Sequence, residues 1–116
     1  MHEAYTYLGY ANRKLGRYDE SLQAYDRALK INPDTPYAIE YQGETFLALN
    51  RIAEAQFNFL RLYALDVHSA AKLLRAMHAW VEANKAKPPA GIDVPELAAW
   101  IAEKAPSVPG EEKWTN

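Results

Sequence analysis

Shifted against itself by 34 residues, the chain lays Gly9 on Gly43, Glu20 on Glu54 and Tyr25 on Phe59. Tyr18 meets Ile52 and Ile31 meets Leu65 under the same shift. The matches keep size and polarity more than identity, which is what a packing repeat requires. A period of this length belongs to stacked supersecondary units, each unable to bury its apolar face alone. Any fold for this chain must therefore share its core between successive copies.

Inside each period the apolar spacing is helical. Tyr5, Leu8, Ala11 and Leu15 lie three or four apart and predict one stripe; Leu22, Tyr25, Ala28, Leu29 and Ile31 predict a second. Between them Gly16 can take the left-handed conformation that ends a helix. Asn50 stands at the corresponding place in the second unit, and asparagine is the next residue to tolerate that geometry. Each unit reads as helix, tight turn, helix. Pro33 closes the first unit, and Pro36 suits the first turn of the next helix.

After the second unit, Ser69 is the expected N-cap of a further helix running from about Ala70 to Ala86, with Leu73, Leu74, Met77, Trp80 and Val81 amphipathic. Lys87-Pro88-Pro89-Ala90-Gly91 breaks it. Asp93 with Glu96 three residues on resembles a capping box and opens a short helix to about Ala105, carrying Leu97, Trp100 and Ile101. The expected organisation is two units (2–35 and 36–68), then 69–105, then a flexible tail over 106–116 in which Trp114 is the one residue suited to docking. Segment 69–105 is either a degenerate third hairpin or a helix whose C-terminal partner folds back as a lid.

Composition excludes several functions. The chain has no cysteine, so disulfides and thiolate zinc sites are ruled out. Its formal charge of −2 gives no overall attraction to phosphates. Arg13, Lys14 and Arg17 are the nearest approach to a basic stripe, and they read as a solvated helix face. The N-terminus lacks the pattern of a secretion signal, and no stretch approaches the ~20 apolar residues that cross a bilayer. A cytoplasmic chain without nucleic-acid or membrane partners is the expectation. His2, His68 and His78 have no metal-ligand spacing, and Glu111-Glu112 and Asp19-Glu20 fall in a tail and a turn. No phosphate-cradling loop or nucleophile elbow is present. No metal, cofactor or catalytic residue is expected, and an enzyme is the remote reading.

The first unit, AYTYLGYANRKLGRYDESLQAYDRALKINPD, resembles the tetratricopeptide repeat family. Tyr5, Leu8-Gly9, Gly16, Tyr18, Leu22, Tyr25, Ala28 and Pro33 stand at its signature positions. Asn12 and Ser21 depart from the usual aromatic and alanine. The second unit keeps Gly43, Phe46, Ala55, Phe59 and Leu65, with Gln42 for leucine, Leu62 for a small alanine and Val67 for proline. The third helix matches loosely. The resemblance implies an all-α fold: antiparallel helix-turn-helix repeats stacked in a short right-handed solenoid, two units plus a C-terminal cap or degenerate hairpin. It also implies that Gly9 and Gly43 let the helices of a pair approach closely.

In that family the first helix of each pair lines a concave groove for a peptide or partner helix. The resemblance thus assigns Glu3, Thr6, Tyr7, Tyr10, Arg13 and Lys14 to the groove, then Tyr37, Glu40, Tyr41, Glu44 and Leu47, then Leu74, Arg75, His78 and Glu82. Tyr7, Tyr10, Tyr37 and Tyr41 would form an aromatic floor, offering large apolar faces with a hydroxyl handle. Of the positions that clamp a terminal carboxylate in some members (Thr6, Tyr10, Tyr41, Ala71, Arg75), only Arg75 fits. A scaffold for a protein or peptide partner is therefore expected. The second reading is a self-associating module, a homodimer formed through the solenoid ends or the C-terminal helix.

Overall fold

The computed structural model describes residues 1–110, and these are built from helices. The first pair is α1 (His2–Lys14) and α2 (Tyr18–Ile31), the second α3 (Pro36–Ala48) and α4 (Ile52–Leu65). The long α5 (Val67–Asn84) and α6 (Val94–Lys104) follow, and a 3-10 turn at Ala105–Ser107 ends the series. Trp114 and Glu111-Glu112 lie outside the described residues.

The two intra-pair turns are built alike because their chemistry is the same. Gly16 and Asn50 both take positive φ, 77° and 60°. In each, the next amide reaches back to close the helix: Arg17 N–H to the Asn12 carbonyl and Arg51 N–H to the Phe46 carbonyl, both at 2.8 Å. These bonds satisfy carbonyls that the helix end would otherwise leave unpaired. So short a turn forces the following helix back antiparallel.

α3 is the centre of the stack, packing against α1, α2, α4 and α5. Its residues Ala38, Ile39, Gly43, Thr45, Phe46 and Leu47 are buried. The core continues through Phe59, Leu62, Leu73, Leu74 and Met77 into Leu97 and Ile101 of α6. Two departures from the family pattern are hydrogen-bonded where they are buried. Ser21 Oγ donates to the Gly9 carbonyl at 2.7 Å and lies 3.3 Å from Thr45 Oγ1, joining α2 to both α1 and α3. Asn58 Nδ2 donates to Gln42 Oε1 at 2.8 Å and to the Ile39 carbonyl at 3.0 Å. Gln42 can replace leucine because it brings its own partner, which removes the penalty for burying it. Leu62, in the place of a small alanine, is fully buried.

Several expectations need correction. α5 starts at Val67, and its N-cap is Asp66, not Ser69; Asp66 accepts the His68 amide at 3.1 Å and the Ser69 hydroxyl at 3.0 Å. A carboxylate that answers an orphan donor early lets the helix begin with a single residue, Asp66, between it and α4. Leu8 and Leu15 of the predicted α1 stripe are 50% and 68% exposed, and the face of α1 that is buried carries Thr6 and Gly9. The matching positions of α3, Ile39 and Gln42 among them, are buried, because α3 lies in the middle of the stack with helices of both neighbouring units around it. Gly43 faces Leu73 of α5, where an added β-carbon would lie 2.7 Å from the leucine, so its close approach is to the next unit and not within its own pair.

The N-cap half of the expected capping box forms, with Asp93 Oδ1 accepting the Glu96 amide at 3.0 Å. α6 packs on α5 and reaches α4 through an edge-to-face contact of Trp100 with Phe59, centroids 5.4 Å apart. The expected tail does not begin at residue 106. The chain makes the 3-10 turn there, and Val108 is buried in the core.

Gly9 meets the ring of the fully buried Tyr25, and a β-carbon there would come within 2.6 Å of it. Tyr25 has no space to retreat into. Gly9→Ala should therefore destabilise the fold by roughly 1–3 kcal/mol despite the better helix propensity of alanine, as read from denaturant unfolding.

Candidate functional site

The inner surface is made by the first helices of successive pairs. On α3 the residues Tyr37, Glu40, Tyr41 and Glu44 recur at three- and four-residue intervals, so one stripe alternates rings with carboxyls. On α1, Glu3, Thr6, Tyr7 and Tyr10 follow the same spacing. Where the two stripes meet, Glu3, Thr6, Tyr7, Tyr10, Tyr37 and Tyr41 line a cleft of about 230 Å³.

The rings hold one another in place. Tyr41 stands 5.4 Å from Tyr10, 6.4 Å edge-on from Tyr37 and 6.5 Å from Tyr25, centroid to centroid. Cations of the chain lie over two of them: Arg13 and Lys14 over Tyr10, at 5.5 and 5.4 Å, and Lys72 over Tyr41 at 5.3 Å. Such contacts favour a fixed ring position. Tyr7 and Tyr37, by contrast, are 73% and 41% exposed. The cleft thus has a braced inner half, Tyr10 and Tyr41, and an open outer half.

Beside the cleft lies a partly buried polar cluster drawn from four helices. Arg13 Nη2 is 3.9 Å from Glu44 Oε1, and Lys72 Nζ is 3.9 Å from Glu40 Oε1. Glu40 is 1% exposed, and both of its oxygens lack a hydrogen-bond donor, as Arg13 Nε and the Tyr25 hydroxyl lack a partner. Burial, then the neighbouring Glu44, raises the Glu40 carboxyl far above the usual carboxylate range, while Lys72 and Arg13 oppose the rise. Burial likewise pushes the Tyr25 hydroxyl up to about 12. A carboxyl placed this way is neutral where an exposed one would be charged.

The groove residues expected from the sequence therefore fall into three groups. Tyr7, Tyr10, Tyr37, Tyr41 and Thr6 share the cleft, though Thr6 is buried and its hydroxyl is spent on the His2 carbonyl at 2.9 Å. Arg13, Lys14, Glu40 and Glu44 surround it without lining it. Arg75 and His78 belong to α5 and do not reach it; a β-carbon on Gly110 would lie 3.6 Å from Arg75 Nη1, so the chain passes Arg75 as it leaves the 3-10 turn. Leu47 and Leu74 are core residues, and Glu82 pairs with Lys85 at 2.7 Å. Lys72 was not expected. Its signal is a charge standing where Ala4 and Ala38 sit in the two preceding units. Among the described residues no group of three or more His, Asp or Glu side chains could hold a metal ion, and no helix is long and apolar enough to cross a membrane.

A family model of the tetratricopeptide repeat matches residues 2–35, the α1–α2 pair with the turn that follows. No curated protein and no solved structure matches the chain.

The raised Glu40 carboxyl makes a signed prediction. A carboxyl whose folded pKa lies above its unfolded value near 4.5 contributes stability that is complete below that value and is lost as the pH rises toward about 9. Tyr25, pushed up to about 12 by burial, titrates above this window. Wild-type stability should fall between pH 5 and 9, and Glu40→Gln, neutral throughout, should flatten that slope; denaturant unfolding at several pH values measures both.

Proposed function

We propose that this chain, whose first helix pair matches the tetratricopeptide repeat, holds a peptide or helix of a protein partner on its tyrosine-lined inner face. Repeats of this family mediate protein–protein interaction and are typically scaffolds without catalysis. The observation that carries the finer reading is the cleft between α1 and α3. Four tyrosines converge on it, two braced by neighbours and two open to solvent.

That division suits recognition. The braced rings keep their place without a ligand, so binding spends little entropy on ordering them. The open rings offer the apolar area and hydroxyls that dominate peptide interfaces. The volume of about 230 Å³ matches one or two side chains of a peptide laid along the groove, not a small-molecule substrate enclosed on all sides. Glu3 at the cleft and the Arg13–Glu44 and Lys72–Glu40 pairs beside it give the groove mixed charge, which favours orientation of a partner over tight attachment to one sign of charge.

Tyr7 and Tyr37 can be changed without disturbing the core. Peptides selected from a displayed library on the wild-type chain should bind the Tyr7→Ala, Tyr37→Ala double variant at least tenfold more weakly, with its helical circular dichroism unchanged. Equal binding by a folded double variant would remove the cleft from the binding site.

A further inference from the structure

The outer surface carries a feature that the inner groove does not explain. α2 and α4 occupy the same place in successive pairs, and each turns one stripe outward. On α2 that stripe is Asp19, Gln23, Asp26 and Lys30, all exposed, as a solvated helix face should be. The positions 34 residues later on α4 are Ala53, Phe57, Leu60 and Ala64. All four are exposed as well, Phe57 at 61% and Leu60 at 51%. The same site in the same repeat is polar in one copy and apolar in the next, so packing within the solenoid does not require the apolar residues. Scattered apolar residues on a surface need no explanation, but a continuous helical stripe of them marks a contact.

The stripe has an order. It reads small, large, large, small, and its centre lies midway between Phe57 and Leu60. We propose that α4 pairs antiparallel with α4 of a second copy of this chain about a two-fold axis through that point. Self-complementarity is what such an axis demands, since one patch serves both sides. Phe57 would meet Leu60 of the second copy, and Ala53 would meet its Ala64, where small side chains let the helix ends converge. The flanks agree with this register. Glu54, which also binds Arg51, and Arg61, which reaches the Pro33 carbonyl, share one flank two turns apart. The axis therefore brings Glu54 within about two residues (~3 Å along the helix) of Arg61 of the second copy, twice. Gln56 and Tyr63 share the other flank and face each other across the axis as hydrogen-bonding groups. No like charges are opposed.

A contact centred on one helix pair is smaller than the ~800 Å² per partner of a standard stable interface, so the association is reversible and weak. It joins two molecules by their outer surfaces and leaves both grooves facing outward. It is independent of what the grooves hold.

Sedimentation velocity from about 5 to 500 µM, spanning the range of weak complexes, tests the proposal on the whole chain. The wild type should shift from monomer to dimer across that range. Phe57→Gln with Leu60→Asp, which copies the residues α2 uses at these positions, should stay folded and dimerise at least tenfold more weakly. Register is tested by charge: Glu54→Arg and Arg61→Glu should each weaken the dimer, and the two together should restore it. A wild type that remains monomeric throughout overturns the proposal and leaves the stripe to a different protein. Undiminished dimerisation of the Phe57, Leu60 variant also overturns it, as does failure of the double charge swap to restore what the single swaps lose.

Discussion

The contact between the Tyr25 ring and the backbone at Gly9 is the one on which the rest of the structure depends. It draws α1 and α2 together until no β-carbon fits between them. With the ring pinned there, its far side supports Tyr41, which in turn positions Tyr10 and Tyr37. The inner surface is therefore an extension of the core and not a layer added to it. A closer or looser first pair would move the aromatic floor as a body.

The same ring brings a hydroxyl into the junction of α1, α3 and α5, where Arg13, Glu40, Glu44 and Lys72 gather. Buried charges are costly unless paired, and here the pairing is loose, at 3.9 Å for both ion pairs. Protonation of Glu40 lowers that cost, so the cluster resolves its electrostatics by titration and not by tighter contacts. This places a proton-sensitive group directly behind the groove. Its neighbours on the surface side are Tyr41, which lines the cleft, and Lys72, which lies over that ring, so the stability of the stack and the state of the inner face are physically linked.

Two faces of one repeat are built differently. Inward, the first helices of each pair carry rings and charges that hold one another in place. Outward, α2 is solvated while α4 exposes an apolar stripe, although the solenoid asks nothing different of them. Repeat architecture makes such a difference easy to see, because each unit is a control for the other.

The 34-residue period and the residues of both turns were readable along the chain. Each rests on local physics: helical spacing, the positive φ that glycine and asparagine tolerate, and a proline that stops a helix. The N-cap at Asp93 was legible for the same reason. What packs on a given face was not. Leu8 and Gln42 hold corresponding positions, yet the leucine is half exposed and the glutamine buried, because α1 begins the stack while α3 has helices of other units on both sides. Gly43 turned out to face α5, Leu74 to lie in the core, and Lys72 to reach Glu40 across two helices. Periodicity states which residues share a side of a helix, and only the stacking of helices decides whether that side meets protein or water.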